Sequence, residues 1–145
     1  MNKSQACIDA SIIVSFLTAE ETSIIAEALW VELIESDVQV VAPLLLRYEV
    51  VSAIYRKTVR GFIAMEDAQT VIQSFMQMSI EYVDSPQLSL RALELAARFK
   101  RPNTYDAHYL ALSEHLNCPY WTSDERLYNA IHTDFPLIHR LGQSR

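Results

Sequence analysis

Gln5-Ala6-Cys7-Ile8-Asp9-Ala10-Ser11 is the stretch on which the reading of this chain turns. Its run Ala6-Cys7-Ile8 shows no alternation of polar and apolar residues. Such a run predicts a strand, Gln5 to Ile8, buried on both faces as in parallel sheets. Asp9 closes it, and Ser11 to Leu17 continues as a short helix. A doubly buried strand needs helices above and below it, so the rest of the chain is expected to alternate between the two element types.

Working outward, it does. Val38 to Ala42 is a β-branched run ended by Pro43, Ile80 to Val83 a third strand, Tyr120 to Thr122 a fourth, and Leu137 to His139 a small last one. Between them lie helical patterns. Glu21 to Glu35 repeats apolar residues at Ile25, Ala28, Leu29, Leu33 and Ile34. Leu44 to Arg60 is stopped by Gly61, with Arg56, Lys57 and Arg60 suiting the negative end of its dipole. Ala64 to Met78 carries Ala68, Val71, Ile72, Phe75 and Met76 on one side. Leu88 to Phe99 is broken by Pro102; Asn103 or Thr104 then caps a helix to about Leu116, and Glu125 to Ile131 is the last. The expectation is an α/β fold, one domain over residues 1–145, with a mainly parallel sheet of four to five short strands and helices on both faces.

On that layout four acids, Asp9, Glu49, Asp106 and Asp124, fall toward one end of the sheet. Open α/β sheets bind ligands there. Converging carboxylates call for a cation, and hard oxygen donors select Mg²⁺ or Mn²⁺. Each acid also has a plain structural role to set beside this. Asp9 suits a helix N-cap and Asp106 the first turn of its helix; Asp124 and Glu125 both suit a first helical turn capped by Thr122 or Ser123, and Glu125 reads as a first-turn acid only. Glu49 fits such a role least, because it interrupts the apolar stretch Leu44 to Tyr55. A carboxylate in that setting needs solvent or a partner. At helical spacing it shares a stripe with Ser52, Ala53, Arg56 and Arg60, so the two arginines are candidates to meet a phosphate backbone. The four histidines read as surface or interface residues, and Arg98, Lys100 and Arg101 as a solvated helix end.

Composition removes other classes. Only Gly61 and Gly142 occur, so neither a Gly-rich phosphate loop nor a dinucleotide fingerprint exists. A net charge of −6 argues against a protein that coats nucleic acid. It leaves open a nuclease whose acidic site attracts phosphate once a metal is bound. Cys7 and Cys118 lack metal-ligand spacing and read as buried thiols, which suits a reducing cytoplasm. Neither a signal peptide nor a membrane span is expected. Haloacid-dehalogenase-like phosphatases want a second aspartate where Ser11 stands, and the acid pair and late lysine of receiver domains are not evident.

Cys7-Ile8-Asp9-Ala10-Ser11, Glu49 in its apolar helix, Tyr105-Asp106-Ala107 and Thr122-Ser123-Asp124-Glu125-Arg126-Leu127 together resemble the PIN-domain ribonucleases. Within them the chain looks most like the VapC-type toxins of bacterial toxin–antitoxin pairs. The resemblance covers essentially the whole length and keeps the order of the acids; the block around Asp124 is its most specific part. It implies a three-layer α/β/α sandwich. It also implies that Asp9, Glu49, Asp106 and Asp124 bind Mg²⁺ or Mn²⁺ for hydrolysis of single-stranded regions of RNA, with Ser11 and Thr122 as supporting hydroxyls. A homodimer and a small antitoxin partner are implied too. The alternatives are a solitary housekeeping nuclease and a non-catalytic module of the same fold whose acidic pocket holds a partner's arginine.

Overall fold

β1 (Gln5–Ile8) stands at the centre of the sheet, and the computed structural model describes residues 3–142 around it. Ala6, Cys7 and Ile8 are buried, as an apolar run without alternation requires. On one side β1 pairs with β2 (Gln39–Pro43), which pairs with β3 (Ile80–Val83); on the other it pairs with β4 (Tyr120–Thr122), then β5 (Ile138–Arg140). All four pairings are parallel, with Cys7 opposite Val41 in β2 and Tyr120 in β4.

The connections are α1 (Ala10–Leu17) and α2 (Ser23–Glu35), α3 (Leu45–Val59) and α4 (Met65–Met76), α5 (Pro86–Arg98) and α6 (Tyr105–Leu116), then α7 (Glu125–Ile131). Right-handed crossovers put α1 to α4 on one face of the sheet and α5 to α7 on the other. The principal helix contacts fall into the same two groups, α1 with α2 and α3, α3 with α4, and α5 with α6. The result is a three-layer α/β/α sandwich with an all-parallel sheet, agreeing with the sequence reading. Among the described residues no helix is long and apolar enough to cross a membrane.

Where boundaries differ from the sequence reading, hydrogen bonding explains them. Val38 lies outside β2 because its N–H closes the end of α2 on the Leu33 carbonyl (2.9 Å), while Pro43 still pairs with Val83. β5 is Ile138–Arg140 rather than Leu137–His139; Tyr120 N–H to the Leu137 carbonyl opens that ladder and Leu141 N–H to the Thr122 carbonyl closes it. α5 begins two residues early, at Pro86, where a missing N–H is harmless. In α2 the core side is Ala26, Leu29 and Leu33, so Ile25, Ala28 and Ile34 face outward against expectation.

Four helices end in the same way. Asp37, Gly61, Lys100 and Asn117 take positive φ (57°, 76°, 53° and 49°), and the next residue's N–H reaches back to a carbonyl in the last turn. This is the Schellman arrangement, usually built on glycine. A chain with two glycines accepts a left-handed Asp, Lys and Asn instead.

Candidate active site

β1 leads leftward to β2 and β3, whereas β4 and β5 add on its right, so the strand order reverses between β1 and β4. A crevice opens at the carboxyl ends of strands at such a reversal. Asp9 follows β1 and Asp124 follows β4, one on each side of it. α3 starts straight after β2, which carries Glu49 to the same end of the sheet; α6 runs back toward the start of β4, so its first turn brings Asp106 there.

Asp9 is only 7% exposed and occupies the N-cap position of α1 without capping it. Its carboxylate is instead held by hydroxyls. Ser11 donates to Oδ1 (2.5 Å), Tyr120 donates to Oδ2 (2.9 Å), and Thr122 adds a further side-chain bond. Asp124, by contrast, caps its helix in place of the expected Thr122 or Ser123, accepting the Leu127 N–H at 3.0 Å, and its own N–H bonds Thr122 Oγ1 at 3.0 Å. Thr122 thus links the two aspartates. Ser11 adds a second tie across the crevice by accepting the Ser123 N–H at 3.2 Å.

Glu49, half-buried, accepts a 2.6 Å hydrogen bond from the Tyr109 hydroxyl. Tyr109 and Tyr120 are both buried and stack with centroids 5.8 Å apart. Two acids are therefore positioned by one tyrosine pair in the core. Burial raises the carboxyl pKa of Asp9, Glu49 and Asp106. Charge coupling adds to it: Asp106 acts on Asp9, both aspartates act on Glu49, and Asp124 acts on Asp106. Hydroxyl bonds to Asp9 and Glu49 pull the other way, as does Arg101 at Asp106.

Among the described residues no three His, Cys, Asp or Glu side chains gather closely enough to hold a metal ion as they stand. The reason is visible acid by acid. Asp9 is turned onto hydroxyls, Glu49 onto Tyr109 and Asp124 into its cap, while Arg101 Nη2 lies 3.8 Å from Asp106 Oδ2. Like charges at one crevice each take a separate donor. The donor chemistry still fits a hard cation, because an ionised carboxylate accepts about four bonds and only one or a few are used here.

Reading the residues in order missed three of these groups. Tyr120 reads only as the start of a strand and Tyr109 only as part of a helix; the partners of their hydroxyls depend on how these elements pack in the fold. Arg101, read as part of a solvated helix end, is turned inward with a side chain 17% exposed. The left-handed Lys100 at the end of α5 sends it there. Arg56 lines a cleft of about 420 Å³ with Glu49, Ser52, Leu45, Tyr48 and Tyr105, and donates to Ser52 (3.2 Å). Arg60 does not line it. His108 ties α6 to α5, its ring bonding Ser89 Oγ (3.0 Å) and the Thr104 carbonyl (2.6 Å).

Comparison with solved structures finds the same fold. VapBC2 from Rickettsia felis, bound to a DNA fragment from its promoter, superposes with TM-score 0.68 at 12% identity, covering 94% of this chain and 98% of that one. Mycobacterium tuberculosis VapC20, described as a sarcin–ricin-loop-cleaving toxin, gives 0.68 at 13% identity over 90% and 95%. VapBC-1 from nontypeable Haemophilus influenzae gives 0.64 at 18% identity over 96% and 99%. No curated protein matches the sequence. The sequence profile of the PIN domain matches residues 6–132, nearly the whole length, and the chain therefore belongs to the PIN domain family.

Proposed function

We propose that this chain is a metal-dependent ribonuclease that hydrolyses phosphodiester bonds in single-stranded regions of RNA, and the toxin of a toxin–antitoxin pair. The observation that carries the reading is the placement of Asp9, Glu49, Asp106 and Asp124 at the carboxyl-end crevice of the strand-order reversal, in a PIN-domain chain. These four would hold Mg²⁺ or Mn²⁺, which when bound polarises the scissile phosphate and acidifies a water.

The chain's own residues do the rest. Ser11, Thr122 and Tyr120 fix the direction of Asp9, and Tyr109 fixes Glu49. Asp106 or Asp124 is suited to hold the attacking water for in-line displacement. Arg56 meets the RNA backbone along the α3 stripe, and Arg60, at the end of α3, meets it farther out. Partner binding has support in the exposed apolar residues Val51, Tyr55, Met65 and Met76, which line a cleft of about 560 Å³ between α3 and α4. They suit an antitoxin or a second copy of the chain in a homodimer. A cytoplasmic location fits an RNA substrate and the two buried free thiols, Cys7 and Cys118.

Purified protein should cleave RNA with Mn²⁺ or Mg²⁺, stop with chelator, and lose activity on Asp9→Asn while keeping its fold. Metal-independent or unaffected cleavage refutes the reading. A non-catalytic module that holds a partner's arginine is the second reading, and Arg101 beside Asp106 favours it by showing that the crevice accepts a guanidinium. That reading requires no cleavage under any metal condition.

A further inference from the structure

Two exposed tyrosines stand on the rim of this site. Tyr48 and Tyr105 are 57% and 55% exposed, and each directly precedes a site acid, Glu49 and Asp106. They come from different helices, α3 and the first residue of α6, yet line the same cleft with Leu45, Glu49, Ser52 and Arg56. The cleft volume of about 420 Å³ lies within the range of small-ligand sites. Leaving large aromatic rings in water forgoes the free energy of burying them, so an exposed pair facing one cleft invites an aromatic ligand.

We propose that Tyr48 and Tyr105 form a nucleobase-stacking subsite that receives an unpaired base next to the scissile phosphate. This rests on the ribonuclease reading above and deepens it. The chemistry of the lining suits one nucleotide. The rings stack on a base, the Arg47 guanidinium, 5.3 Å from the Tyr48 ring centroid, adds positive charge, and Arg56 faces the sugar–phosphate backbone. Phe62, an exposed aromatic in the turn after α3, does not line this cleft and serves as an internal control.

A base inside a duplex is already stacked on both sides and cannot enter. The subsite would therefore be the physical origin of the requirement for single-stranded RNA. Every base has a ring face, so the expected sequence preference is slight. Discrimination of the strand state, rather than of the letter, is the role assigned to these residues.

The test uses the full chain carrying Asp9→Asn, to suppress cleavage, with Mn²⁺ and at fixed salt. Affinity is measured by fluorescence anisotropy for a labelled short oligoadenylate and for the same oligomer with central abasic positions. Tyr48→Ala and Tyr105→Ala should each weaken binding of the intact oligomer by about fivefold to a hundredfold. Tyr48→Phe and Tyr105→Phe should retain the original affinity, since the ring is kept, and Phe62→Ala should have no effect. Removing the bases should weaken binding to the parent protein and add little in the double alanine variant. Equal affinity for intact and abasic oligomers, or alanine variants that bind like the parent, overturns the subsite. If such variants also cleave RNA normally in the Asp9 background, the subsite alone falls. If unaltered protein neither binds nor cleaves RNA, the ribonuclease reading falls with it.

Discussion

Tyr120 carries more of the site than its place in a three-residue strand suggests. Its ring is core, and its hydroxyl holds Asp9. Tyr120→Phe keeps the ring but leaves a buried carboxylate oxygen short of a donor, which costs about 1–3 kcal/mol of stability. Chemical denaturation should show that loss, with cleavage falling as Asp9 loses its fixed direction. A stability equal to wild type would mean that the hydroxyl contributes nothing to the site. The acids themselves set a pH dependence. Asp9, Glu49 and Asp106 have raised folded-state pKa values, through burial first and their neighbours' charges second. The native state thus keeps protons that the unfolded chain has already released. In metal-free protein this stability is complete below about pH 4, the unfolded carboxyl value, and is lost as pH rises through the raised values. Glu114, held down by Arg91, acts below that window and with the opposite sign. Melting temperature in chelator should fall from mildly acidic toward neutral pH, and Asp106→Asn should flatten the fall. A curve that rises through this range contradicts the coupling.

At the scale of elements, helices and strands were legible because their patterns are local. A run such as Ala6-Cys7-Ile8 announces a doubly buried strand, and Leu88, Ala92, Leu95 and Ala96 recur on one side of α5 and are buried there. What was not legible depends on how an element ends or on what lies beside it. The Lys100 turn that aims Arg101 at Asp106 has no glycine to mark it. Nothing in the order of residues says that the Tyr109 hydroxyl meets Glu49, since 60 positions separate them. The outward tilt of Ile25 and Ile34 shows the same limit: helical spacing gives a stripe, but the neighbouring elements decide which edge of it is covered. The turns yield a prediction of their own. Lys100→Gly relieves a left-handed lysine, offset in part by the greater freedom of glycine in the unfolded chain. A gain of about 0.5–1 kcal/mol is expected in denaturant titration. A loss of stability would show that Lys100 makes interactions that outweigh its backbone strain.

For the whole molecule, the order β3-β2-β1-β4-β5 explains why acids far apart in the chain reach one crevice. Under the proposed ribonuclease function, the same gathering of acids lets a chain of net charge −6 approach RNA. Negative charge at the crevice is the charge that a bound cation would offset, while Arg56 and Arg60 extend away from it along α3. Replacing both arginines with Gln should weaken RNA affinity and flatten its dependence on salt, because fewer counterions are released. An unchanged slope would leave them as favourable charges at a helix end. The central claim is that four separately held carboxylates act as one divalent-cation site. It is tested most directly by melting wild type and Asp106→Asn, each with chelator and with Mn²⁺. An ion bound only by folded protein adds roughly 3 kcal/mol at about one hundred times its dissociation constant. The account predicts that Asp106→Asn melts higher than wild type in chelator, because a repelling charge is gone, and gains much less from Mn²⁺. Equal stabilisation of both proteins by Mn²⁺, or of neither, would contradict it and leave the acids as independent side chains at one end of a sheet.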